Sequence, residues 1–160
     1  MQHASSTRAV HAPPEKIWAL ISDVTTIDRY HPSVERADLL SAQPTGLGAT
    51  RRCNFYDGTN VREEVVDLDG GKRIRLALSE FSVPMKQLEA ELRLVPGAGD
   101  TTDVTFEISY VMKWGILGQI MGATAVRRQL TQMTAKVLAG LDHHVSTGER
   151  VGKDFVPKPA

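Results

Sequence analysis

The sequence predicts an α+β fold, a curved seven-stranded antiparallel sheet closed over one long C-terminal helix. Three observations carry this. Val104, Phe106, Ile108, Tyr110, Met112 and Trp114 alternate with polar residues, the signature of a strand with one wet face. Val126, Leu130, Met133, Val137, Leu141 and Val145 then recur at helical spacing, with Arg127, Arg128, Gln132, Lys136 and Asp142 on the other face. Between them and the N-terminus lies a series of short apolar runs separated by turn residues. A strongly bent sheet under a single helix can leave an apolar space, and function is expected there.

Taken in order, residues 3 to 11 alternate weakly and meet Ala12-Pro13-Pro14-Glu15, where proline marks the first helical turn. A helix over 14 to 22 follows, with Ile17, Trp18, Leu20 and Ile21 on its apolar face. Val24 to Tyr30 reads as a second short helix or turn, stopped by His31-Pro32. Strands are expected at 34–41, 49–57, 60–69, 72–81, 85–95 and 102–114, divided at Gly46-Leu47-Gly48, Asp57-Gly58, Asp69-Gly70-Gly71, Val83-Pro84 and Pro96-Gly97-Ala98-Gly99-Asp100. One parity is apolar in Ile74, Leu76 and Leu78 and again in Leu88, Ala90, Leu92 and Leu94, which suits an antiparallel meander. The final helix is expected from 123 to 145. Gly115, Gly118 and Gly122 disfavour helix before it, so that stretch reads as a distorted first turn or a mobile gate.

A chain of 160 residues suits one domain, 1–150, with 151–160 a flexible tail carrying two prolines. Nineteen basic and nineteen acidic side chains cancel, and no basic stripe with interleaved aromatics exists, which argues against nucleic acid as a partner. No segment approaches a membrane span. The single cysteine, Cys53, forms no intramolecular disulfide and suits a reducing compartment, so a cytoplasmic location is expected. No HExxH or CxxC spacing and no glycine-rich phosphate loop occurs; no metal and no cofactor is implied. His143-His144 point about 100° apart on a helix, a poor metal pair. The strand edges leave a homodimer open.

Four stretches carry a family likeness: residues 13–23 (PPEKIWALISD), Tyr30-His31-Pro32, Gly48-Ala49-Thr50-Arg51-Arg52 leading to Asp57-Gly58, and Arg62-Glu63-Glu64-Val65-Val66-Asp67-Leu68-Asp69. In order and spacing the chain resembles the START-like (SRPBCC, Bet v 1-like) superfamily, specifically the bacterial polyketide cyclase/dehydrase and lipid-transport type. The resemblance spans about residues 3 to 145. It implies the helix-grip fold and an apolar or amphipathic ligand held between sheet and helix; some members are cyclases or aromatases and others only bind.

Parity on 49–57 puts Arg51, Cys53 and Phe55 on the inner face, whereas on 60–69 the parities are mixed. There the resemblance chooses Val61, Glu63 and Val65, because a glutamate at the Glu63 position tends to face the cavity in that superfamily. His31, Arg51 and Glu63 are the candidates for chemistry: Arg51 and Glu63 as a pocket pair, His31 as a contact at the entrance. They equally suit a structural ion pair and a cap on the turn before Pro32. Ligand contacts are expected from His31, Arg51, Cys53, Phe55, Glu63, Val65, Leu76, Leu78, Met85, Leu88, Tyr110, Met112, Trp114, Val126, Leu130, Met133 and Val137, with Met121 and Phe81 as further lining. Cys53 is expected to be inert.

Three functions follow. The first is binding or transport of a hydrophobic or amphipathic small molecule: a lipid, isoprenoid or polyketide. The second is a cyclase, aromatase or dehydratase, with His31 or Glu63 as base and Arg51 stabilising an enolate oxygen. The third is a ligand-switched interaction module working through the glycine-bearing stretch.

Overall fold

The computed structural model describes residues 1–113 and 122–158. β1 (Gln2–Val10) passes through Pro13 into α1 (Pro14–Ile21), and a three-residue 3-10 turn (Ile27–Arg29) precedes β2 (Val34–Leu39). The second short helix is thus reduced to a single turn. Asp23 explains part of this, since its carboxylate accepts from the Thr25 amide at 2.9 Å, a local bond that competes with helix.

β3 (Thr50–Phe55), β4 (Asn60–Asp69), β5 (Arg73–Ser79), β6 (Met85–Pro96) and β7 (Thr102–Met112) continue as a meander. The seven strands lie in the order β1-β7-β6-β5-β4-β3-β2, so the first strand pairs with the last. Every neighbouring pair is antiparallel. The register shifts at Val34/Arg36, Val65/Asp67 and Met85/Gln87 are breaks in the regular pairing of the kind a bulge makes, where an extra residue in one strand of a pair bends that strand. That curvature makes room under the helix.

A π-helical turn over Gly122–Val126 leads into α2 (Arg127–Thr147), which ends at Gly148 with φ 76°, a left-handed position glycine takes without strain. This is the helix-grip layout: an open seven-stranded antiparallel sheet, a short helix between its first two strands and a long C-terminal helix. Trp114, Met121 and the expected gate over 115–122, all but Gly122, lie outside the described residues. Among the described residues no helix is long and apolar enough to cross a membrane.

α2 is tied to β1 by polar side chains. Ser6 Oγ donates to the Thr131 carbonyl at 3.0 Å and lies 2.9 Å from Thr134 Oγ1. Arg8 Nε and the His11 amide both donate to Asp142, at 3.0 and 2.9 Å. Asp142, placed by periodicity on the wet face of the helix, is therefore buried. Burial would raise its carboxyl pKa, but the bonds from His11 and Arg8 outweigh that and hold it below the usual carboxylate value.

Further along α2, a Cβ on Gly140 would collide with the Tyr30 carbonyl oxygen, so only glycine admits this approach of helix to loop. Beyond the helix the chain returns over that same loop. Arg150 Nε donates to the Asp28 carbonyl at 3.0 Å, and the Val151 amide donates to the Arg29 carbonyl at 2.8 Å with its side chain buried.

Candidate functional site

Sheet and helix enclose a cavity of about 430 Å³. Its apolar wall comes from Leu76 and Leu78 on β5, Met85, Leu88, Ala90 and Leu92 on β6, and Phe106 and Ile108 on β7; Leu130, Met133 and Val137 of α2 close it. Asp57, Thr59, Asn60, Ser82 and Val83 also line it and are exposed, so the opening lies between the β3–β4 and β5–β6 connections.

One wall is polar. Arg51 and Glu63 face each other across the β3–β4 register, and Arg51 Nε donates to Glu63 Oε2 at 2.6 Å. Arg51 Nη1 also reaches the Val24 carbonyl at 3.2 Å, which ties the wall to the chain after α1. Both side chains are buried, at 4% and 8% exposure. Burial would lower the guanidinium pKa, but the Glu63 carboxylate more than compensates and the net direction is up. The wall therefore holds a closed ion pair with no net charge.

His31 and Tyr30 sit beside the pair. His31 follows the 3-10 turn, its amide bonded to the Ile27 carbonyl at 2.9 Å, and its ring meets Phe55 edge-on with centroids 6.2 Å apart. The Ser33 amide donates to Nδ1 at 3.2 Å, so in the neutral ring the proton is assigned to Nε2. Burial pulls the His31 pKa down to about 4, against the opposing charge of Glu63. Burial likewise pushes the Tyr30 phenol up to about 12, opposed by Arg51. At neutral pH the wall thus presents two uncharged donors, an imidazole N–H and a phenol O–H. Such groups orient a carbonyl or hydroxyl oxygen without requiring charge on the ligand.

The sequence-chosen residues divide in three. His31, Arg51, Phe55, Glu63, Leu76, Leu78, Met85, Leu88, Leu130, Met133 and Val137 line the cavity, as does Phe81. Cys53, Val65, Tyr110 and Met112 are buried but do not line it, and half-buried Val126 lies in the π-helical turn. Trp114 is outside the described residues. Cys53 is fully buried, and burial, followed by the Glu63 charge, raises its thiol pKa, which keeps it a thiol. Tyr30 is the polar residue the candidates omitted, although it stands next to His31. The mouth residues Asp57, Thr59 and Asn60 were also missed, because in sequence they are simply a turn.

Comparison with known proteins follows the same outline. A family model described as polyketide cyclase / dehydrase and lipid transport matches residues 1–146. No curated protein matches the chain. Among solved structures, the di-domain ARO/CYC BexL of the BE-7585A biosynthetic pathway superposes with a TM-score of 0.76 at 19% identity, covering 91% of this chain and 47% of that one. A START superfamily protein of Mycobacterium smegmatis gives 0.73 at 17% identity, covering 90% and 97%. Ginseng major latex-like protein 151 of Panax ginseng gives 0.71 at 14% identity, covering 89% and 96%. At these identities the likeness is one of fold.

Proposed function

The chain belongs to the polyketide cyclase/dehydrase and lipid-transport family, and from that premise we propose that it binds and carries a hydrophobic or amphipathic small molecule between sheet and helix. The observation that carries this reading is the cavity of about 430 Å³, apolar on most of its wall and polar at one place. Its volume lies in the ordinary range for small-molecule sites. An apolar body, that of a lipid, isoprenoid or polyketide, exchanges water for Leu, Met and Phe side chains, which favours binding by roughly 25 cal/mol per Å² buried. Tyr30 and the His31 Nε2–H then fix the direction in which an oxygen-bearing end lies.

A second reading, a cyclase, aromatase or dehydratase, draws support from the same polar wall. Arg51 and Glu63 are poorly disposed for it, since each already holds the other and a free base or oxyanion clamp would have to break the pair. His31 with a pKa near 4 is a weak base at neutral pH. What remains is polarisation of a carbonyl by Tyr30 and His31, a role that orients as readily as it catalyses.

Native mass spectrometry of the purified protein, followed by denaturing extraction, tests the first reading. A co-purifying apolar molecule that leaves when the protein unfolds is the expected result. If a panel of fatty acids, isoprenoids and aromatic polyketides all fail to shift the apo mass, the carrier reading falls.

A further inference from the structure

We infer that Lys136 and Lys153 form an anion subsite at the cavity mouth, which holds the charged head of an amphipathic acid whose apolar body lies within. This rests on the cavity reading above and adds the class of ligand. A depression of about 240 Å³ contains both lysines with Ser33, Tyr56, Asp57 and Phe55. Phe55 and Asp57 also line the main cavity, so the two spaces adjoin at these residues.

Each lysine is brought there by a distinct device. Lys136 stands three residues after Met133 and next to Val137, so the helix places it at the rim of the cover those two provide. It lies close enough to the polar wall for its charge to act on His31. Lys153 follows the C-terminal segment, which the Val151 amide and the Arg150 guanidinium pin to the loop carrying His31.

Charge points the same way. Among the described residues neither lysine has an ion-pair partner, whereas arginines of the outer sheet face are matched, as Arg62 is by Glu64 and Arg52 by Glu80. Asp57 is the acid in the depression, and its Oδ1 accepts from the Thr59 amide at 2.9 Å and hydroxyl at 2.6 Å. Two cations against one anion leave the depression with a net positive charge. Inside, the Arg51–Glu63 pair is closed, and a carboxylate driven into that wall would lose its hydration without gaining a counter-charge. The head of an acid thus belongs outside, against the lysines.

The test uses N-phenyl-1-naphthylamine, an uncharged fluorescent probe, displaced by dodecanoate, dodecanol or dodecyl phosphate at low salt. Dodecanoate or dodecyl phosphate should displace it at roughly ten-fold lower concentration than the alcohol, as expected for two partly exposed charges. Whichever of the two anions acts at lower concentration assigns the head group. The preference should shrink as sodium chloride screens it. In Lys136→Gln/Lys153→Gln the ratio of anion to alcohol should approach one, the alcohol serving as internal reference. Equal displacement by anions and alcohol in the native chain overturns the subsite, as does an anion preference that survives in the double variant. Failure of the probe itself to bind is a different result, which overturns the cavity reading.

Discussion

The two halves of α2 share one amphipathic pattern and do different work. From Val137 to Asp142 every residue is buried, whereas between Arg127 and Met133 none is. Beyond Val137, which still lines the cavity, the C-terminal half is core: Leu138 and Leu141 have no exposure, Gly140 lies against the Tyr30 carbonyl, and Asp142 anchors the strand end. The N-terminal half is a cover, since Leu130 and Met133 point their apolar bulk at the cavity. Helical periodicity says that a face is apolar. What the sheet offers opposite decides whether that face is packed or lines a space.

Truncation should separate the halves most sharply. Leu138→Ala leaves a void in close-packed surroundings and is expected to cost about 3 kcal/mol, within the usual range for buried leucine. Leu130→Ala only enlarges an existing cavity and should cost less than about 1 kcal/mol, because its side chain already lacks neighbours on one side. Urea unfolding of both variants measures the difference. Equal losses would mean that the cover is packed like the core.

Acid should weaken the two regions in different windows. His31, on the cavity wall, is buried and neutral, with a folded pKa of about 4 against an ordinary 6.5. Above pH 6.5 neither state binds the proton, while between 6.5 and 4 the unfolded chain binds it and the native ring does not. Stability therefore falls as pH drops through that window, by about 3 kcal/mol in full. Asp142 on the helix–strand seam has a folded pKa below its ordinary 3.8, so its contribution persists through that window and is lost only at lower pH. Denaturant midpoints against pH should show a slope between 6.5 and 4 that His31→Gln flattens, with the loss below 3.8 intact. An unchanged slope in the variant would mean that His31 is accessible to protons in the folded state.

The same contrast explains what could be read in the chain. Strand parity located the inner face well: Arg51, Cys53 and Phe55 lie on it, and so do alternate residues of β7. Parity is silent on position along the strand. In the register Leu88 pairs with Tyr110 and Ala90 with Ile108, yet Leu88, Ala90 and Ile108 line the cavity while Tyr110 is wholly buried. Asp142 was misplaced for a related reason, since a carboxylate at a helical spacing looks solvated until the partners from β1 are known. Arg51 and Glu63 were candidates because one was read by parity and the other through family resemblance. Tyr30 and the two lysines of the mouth become visible only when loop, helix and C-terminal segment converge.

The smallest expected change in stability accompanies the largest expected change in binding. Met133→Trp adds ring volume on the side of α2 that faces the cavity, where about 430 Å³ is open to receive it. Enlarging a side chain in a packed core usually costs about 1–3 kcal/mol through forced rotamers and backbone shifts. Here the indole replaces contacts with empty space by contacts with Leu and Phe side chains, so the unfolding free energy should change by less than about 1 kcal/mol. Binding of an uncharged apolar probe should meanwhile be abolished, since the indole occupies the volume the probe needs. A variant that kept full probe affinity would place the ligand elsewhere. One destabilised as strongly as an overpacked core would show that the cover of α2 closes tightly on the sheet and that its two halves are, in solution, alike.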